Sequence, residues 1–257
     1  MIRHVQKALL VVGSMALATS GGLAQDKAAE PAVEPAAIEA LDRMAAFLRT
    51  LQEFRLTATI SIDDVIEGGQ LVETSGRAVY LVRRPDRFRV ELTTDKSERV
   101  FYYNGKTVTQ FSPALGYYSI FEAAPTISET LDIAQDEYDI ELPVVDLFYW
   151  GTDQSNSKEL TAAFSAGESR ISGETCNHYA YRAEVTDFQV WIRKHGDPLP
   201  CRMVIVTTDD PARPRYAASF EWDLDPLIGD TAFEFAPPPG AERIEQLPIE
   251  GDPEQEP

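Results

Sequence analysis

Hydrophobic positions follow two different periods along this chain. Between residues 36 and 53 they recur every three or four residues, at Ile38, Leu41, Met44, Leu48 and Leu51, with Ala45 and Phe47 widening the stripe. That spacing predicts an amphipathic helix. From Phe54 onward the period becomes two. Leu56, Ala58, Ile60 and Ile62 alternate with Thr57, Thr59, Ser61 and Asp63, and after Gly68-Gly69 the chain returns over 70–83. Phe88, Val90 and Leu92 then share one strand face, and Arg87, Arg89 and Glu91 the other. Turns at Pro85-Asp86 and Asn104-Gly105 divide the stretch from Tyr80 to Phe121 into three or four strands. Asn104-Gly105 carries the signature of a type I′ hairpin, which needs positive φ at both central residues.

The alternation stops at Pro125. Thr126 followed by Glu129 predicts a capped helix start, and Ile127, Leu131, Ala134 and Tyr138 give that helix an apolar face. A second short helix is expected over 143–150 (PVVDLFYW), ended by Gly151. Strands return at 161–170, 174–184, 187–194, 201–208, 216–223 and 231–235. The fold class is α+β, mainly antiparallel β, with about ten or eleven strands and two or three helices. That is too much sheet for a flat layer, so it should curl into a concave face covered by the helices.

Charge and cysteine place this domain in a compartment. The first 25 residues read MIRHVQKALLVVGSMALATSGGLAQ: a basic start, a short apolar core and small residues before a cleavage site. Residues 1–24 are expected to be a secretory signal peptide, too short to span a bilayer, and no later stretch supplies an integral membrane segment. Residues 25–35 read as a flexible linker, 36–245 as a single domain and 246–257 as an acidic, disordered tail. The formal net charge is −19, and loss of Arg3 and Lys7 makes it about −21. Such acidity argues against nucleic acid and anionic lipid surfaces as partners. Cys176 and Cys201 remain after export. An even count in an oxidising compartment suggests a disulfide, closing a loop of about 25 residues and contributing roughly 3 kcal/mol; two buried free thiols are the alternative.

Catalytic and metal signatures are missing from the sequence. There is no GxSxG elbow, HExxH helix, P-loop, Rossmann glycine fingerprint or CxxC, and no cofactor or metal is expected. Asp63-Asp64 and Asp209-Asp210 put neighbouring acids on opposite strand faces or in a turn. A two-residue turn at Val185-Thr186 would set His178 opposite Arg193 and Ala180 opposite Trp191. One face would then carry His178, Arg182, Gln189, Trp191 and Arg193, and the other Tyr179, Tyr181, Phe188, Val190 and Ile192. Aromatic residues are plentiful, and a subset is expected to line an apolar cavity under the helices. The candidates are Leu41, Met44, Phe47 and Leu48 of the first helix, with Phe101, Tyr103, Phe111, Phe148, Trp150 and Trp191.

Two segments carry a resemblance. Arg84, Pro85, Phe88 and Arg89, followed by Tyr103, Asn104, Gly105 and Lys106, resemble the strand and aromatic hairpin of the LolA/LolB-like superfamily of envelope proteins, which includes the outer-membrane lipoprotein carriers. The segments ALDRMAAFLRTLQEF, ELPVVDLFYWG, CNHYAYR, DFQVWI, PLPCRMVIVT and FEWDL extend a closer resemblance, to the DUF2092 family of predicted periplasmic proteins, over nearly the whole domain. The superfamily resemblance implies a half-open barrel lidded by helices, with a cavity for acyl chains or a lipidated partner. It suggests no cargo-release residue, because no position matches one. The leading expectation is a non-enzymatic periplasmic carrier for a hydrophobic small molecule, lipid or lipoprotein. A cavity-free interaction or sensor module and an envelope hydrolase are the alternatives.

Overall fold

The computed structural model describes residues 32–150 and 157–249. The signal peptide expected over 1–24 lies outside the described residues, as does the tail from 250. Helix α1 spans Pro35–Thr50, with proline in its first turn, where a missing N–H costs nothing. Ala37, Ala40, Leu41, Met44, Ala45 and Leu48 form its buried face. Of the linker expected over 25–35, residues 25–31 lie outside the described residues, and Val33 and Glu34 are tied to the sheet. Val33 makes a parallel bridge with Ala163, and the Glu34 N–H donates to the Ala163 carbonyl at 2.7 Å.

Six strands follow: β1 (Glu53–Val65), β2 (Leu71–Arg83), β3 (Arg87–Thr94), β4 (Glu98–Tyr103), β5 (Thr107–Ser112) and β6 (Tyr117–Glu122). Helices α2 (Ile127–Tyr138) and α3 (Asp146–Tyr149) interrupt the sheet. Then come β7 (Ala162–Ile171), β8 (Glu174–Arg182), β9 (Thr186–Arg193), β10 (Pro200–Thr207), β11 (Arg215–Asp223) and a two-residue β12 (Glu242–Arg243). All twelve form one sheet, in the order β12-β6-β5-β4-β3-β2-β1-β11-β10-β9-β8-β7. Every neighbouring pair is antiparallel except β12 with β6.

The inner face carries Leu56, Tyr80, Val90, Phe101, Val190 and Met203, which join the buried faces of all three helices in one core. A sheet this wide can share a single core with three helices only by curling around them. Thr126 caps α2 as its sequence predicts. Its Oγ1 accepts from the Glu129 N–H at 3.3 Å and donates to the Glu129 carboxylate at 2.7 Å. Thr126→Ala is expected to cost about 1 kcal/mol in urea denaturation, the usual worth of such a cap.

The outer face is covered over part of its width. After β11 the chain crosses β2 to β5 on that side and pairs β12 with β6. Phe233 is fully buried there, with the Arg83 guanidinium 5.4 Å from its ring centre. Phe235 sits among Tyr102, Phe111 and Tyr118, with ring centres 5.3, 5.4 and 5.0 Å away. The strand expected at 231–235 is therefore a 3-10 turn, Asp230–Phe233, followed by an aromatic plug. The tail stays docked beyond β12: Ser119 Oγ donates to Gln246 Oε1 at 2.7 Å, and the Ile249 N–H to the Glu137 carbonyl at 2.8 Å. Disorder from 246 is thus overturned for residues 246–249.

Three local expectations are also corrected. Only Gly105 of the Asn104-Gly105 pair has positive φ, at 89°, so the turn is not type I′; Asn104 Oδ1 instead accepts from the Lys106 and Thr107 N–H groups at 3.1 Å each. The helix expected over 143–150 is only four residues long. The β8–β9 turn lies one residue earlier than expected, at Glu184-Val185, where the Ala183 N–H donates to the Thr186 carbonyl at 2.8 Å, and it sets His178 opposite Trp191 and Cys176 opposite Arg193. That shift of two leaves both face assignments intact.

Candidate ligand cavity

Two adjoining cavities lie between the helices and the inner face of the sheet. The first, of about 570 Å³, is bounded by Leu41 of α1, Trp150, Leu160, Phe188 of β9, and Met203 and Ile205 of β10. The second, of about 490 Å³, is bounded by Ile60 and Ile62 of β1, Leu92 of β3, Leu131 of α2, and Leu142 and Val144. Gln135, Asp146, Tyr149 and Ile205 line both. These walls arise from the period-two pattern. Ile60 and Ile62, or Met203 and Ile205, are two residues apart and so point to the same side.

The segment between α2 and α3 walls the second cavity, and two tyrosines of the sheet pin it. Tyr80 Oη donates to the Pro143 carbonyl, and Tyr216 Oη accepts from the Val144 N–H at 3.1 Å. Burial pushes both phenols up. Val144 is held at φ 60°, a costly conformation for a β-branched residue. Asp146, two residues on, opens α3. Its side chain keeps some surface, but protein surrounds it on most sides, and what remains faces the cavities. Burial raises its carboxyl above the ordinary carboxylate range, opposed in part by a hydrogen bond from its own backbone N–H. Tyr149 Oη donates to Asp132 Oδ1 at 2.7 Å; burial first, then the carboxylates of Asp132, Asp136 and Asp146, push that phenol up.

Of the ten residues singled out from sequence, the structure places Leu41 and Trp150 on the first cavity. Met44, Leu48, Phe101, Tyr103 and Phe148 are packed in the filled core, and Phe47 packs against its edge. Phe148 sits between Phe54 and Tyr80, with ring centres 6.3 and 6.2 Å away, and the Arg84 guanidinium lies 5.5 Å from the Phe148 ring centre. Phe111 and Trp191 are not cavity residues, because both project from the outer face. Phe111 holds Phe235, while Trp191 stacks on His178 at 3.9 Å with Arg202 on it at 5.7 Å. His178 is bound to Gln189 at 2.9 Å. Met203, Ile205, Gln135 and Asp146 were missed. The signal for Asp146 was present, as an acid inside the apolar run PVVDLFYW.

Among the described residues no group of three or more His, Cys, Asp or Glu side chains is placed to hold a metal ion, and no helix is long and apolar enough to cross a membrane. Cys176 and Cys201 form a disulfide.

The fold is similar to that of an uncharacterized conserved protein of Thermus thermophilus, at 16% identity over 82% of this chain and 99% of that one, TM-score 0.45. It is similar to lipoprotein LppX of Mycobacterium tuberculosis at 11% identity over 76% and 98%, TM-score 0.47. A LolA superfamily protein of Nitrosomonas europaea matches at 10% identity over 77% and 97%, TM-score 0.39. No curated protein matches the chain in sequence. The family model described as "Predicted periplasmic protein (DUF2092)" matches residues 37–247, the whole of the curled sheet with its helices, and the chain belongs to that family.

Proposed function

We propose that this protein is a periplasmic binding or carrier module that shelters the apolar part of a lipid, or the acyl chains of a lipoprotein, inside the curled sheet. It takes residues 1–24 as the export signal and 36–245 as the carrier domain. One observation carries the reading: the pair of adjoining cavities, about 570 and 490 Å³, with mainly apolar walls around a few polar groups. Ligand sites have this size and makeup. Burying about ten methylenes contributes roughly 8 kcal/mol before the costs of ordering, enough for useful affinity without any catalytic group.

The reading predicts that protein isolated under mild conditions carries lipid mass in native mass spectrometry. After organic extraction it should take up an uncharged naphthylamine dye with a blue-shifted emission. Ile205→Trp, on the wall common to both cavities, is expected to weaken dye uptake about tenfold or more, a difference of about 1.4 kcal/mol, while near-UV circular dichroism shows a folded chain. Protein that carries no lipid and takes up no dye would overturn the proposal.

A further inference from the structure

The head group of the bound molecule can be read from the charges around the cavities, an inference that rests on the carrier reading above. Every charged residue among the described lining is acidic: Asp132 and Glu159 on the first cavity, Glu141 on the second, and Asp146 on both. Asp146 is the one at the junction. Among the described residues its carboxylate accepts no side-chain hydrogen bond and has no Lys, Arg or His within ion-pair range, and its one hydrogen bond is to its own backbone N–H. A carboxylate set in an apolar enclosure without a cation is destabilised until one arrives. A ligand phosphate or carboxylate at the junction would instead meet the like charge of Asp146.

We propose that Asp146 receives the protonated amine of a cationic amphiphile whose hydrocarbon part fills the two cavities. The site then selects among apolar chains by head group. It favours an ammonium, tolerates a neutral hydroxyl and rejects a free acid.

Chains of equal length separate the terms. Dodecylamine, dodecanol and dodecanoate, each below its micelle-forming concentration at neutral pH, are titrated against protein loaded with the uncharged dye. Displacement is expected to be tightest for the amine, weaker for the alcohol and weakest for the acid. Asp146→Asn should weaken amine binding about tenfold or more, the worth of a charge-assisted contact, and leave the alcohol within about twofold. The overall charge of −19 attracts any cation, so Asp209→Asn, on an exposed turn outside both cavities, removes the same single charge. It should leave the preference unchanged. Dodecanoate binding as tightly as the amine, or an amine-to-alcohol ratio unmoved by Asp146→Asn, overturns the head-group assignment while the cavity reading stands. Binding of none of the three chains overturns both.

Discussion

Phe233→Ala is expected to lower stability by about 3–5 kcal/mol, the usual loss for a large aromatic side chain removed from a closed site. It is also expected to release the segment that crosses the outer face of the sheet. Phe233 has no exposed surface. The groups around it are weaker anchors. Arg83 Nε lies 2.6 Å from the Glu53 carboxylate and its Nη1 3.2 Å from that of Asp230, but the Asp230 side chain is 97% exposed. An ion pair that open to water contributes little. The apolar contact therefore holds this end, and Phe235 in its cluster of three rings holds the next. Hydrogen exchange should show lost protection over 230–243 and in the covered parts of β4 and β5, and urea denaturation should show the lower midpoint. Leu227→Ala, on the same segment but fully exposed, should change stability by less than about 0.5 kcal/mol. If the two variants behave alike, the segment is not anchored as described.

This segment also explains which parts of the fold were legible in the sequence. Where one sheet face meets the core and the other meets water, alternation gives both the strand and its faces. Leu56, Ala58 and Ile60 are buried and Arg55 and Thr59 exposed, as their pattern requires. Where the outer face is covered as well, alternation loses its contrast. Val100 and Thr109 on the outer side are buried, like Phe101 and Val108 on the inner side. Phe111 then reads as one more core aromatic. The covering segment is ambiguous for the same reason. Phe233 and Phe235 flank Glu234 at the spacing of one strand face, but one fills a site under Arg83 and the other a ring cluster, with no partner strand for either.

The cavity was legible in outline and not in membership. A curled sheet under amphipathic helices follows from the counts of strands and helices, and a hollow beneath them follows from the superfamily resemblance. Which apolar side chains border empty space and which interlock depends on how the helices sit on the sheet, and that is a tertiary property. Met44 and Leu41 occupy the same helical stripe, yet one is locked in the core and the other faces the cavity. Asp146 is different. A carboxylate in an apolar octapeptide conflicts locally with burial, and such conflicts concentrate at functional sites. Reading 143–150 as one short apolar helix passed over the conflict and hid the signal.

Removal of the disulfide is expected to cost roughly 3 kcal/mol, from the unfolded-chain entropy of a loop closed over 25 residues. Cys176 lies on β8 and Cys201 on β10, at the irregularity between Pro200 and Arg202, so the bond ties together two strands separated by β9. Both residues are buried, 0% and 6% exposed. Reductant should therefore reach them only as the chain opens, and the folded protein should resist mild reduction. The denatured, unreduced chain should titrate no free thiol. The Cys176→Ala, Cys201→Ala variant should unfold at a lower denaturant concentration, and its loss should include a share for the space left by the sulfur atoms. The cost falls on the half of the sheet that forms the cavity wall, because β9 and β10 carry Phe188, Met203 and Ile205. At temperatures where the variant is still folded, that wall should open more often, and dye binding should weaken more than Thr126→Ala weakens it. A variant as stable as the parent, binding dye equally well, would mean that strand pairing alone holds the wall and that the bond adds nothing to it.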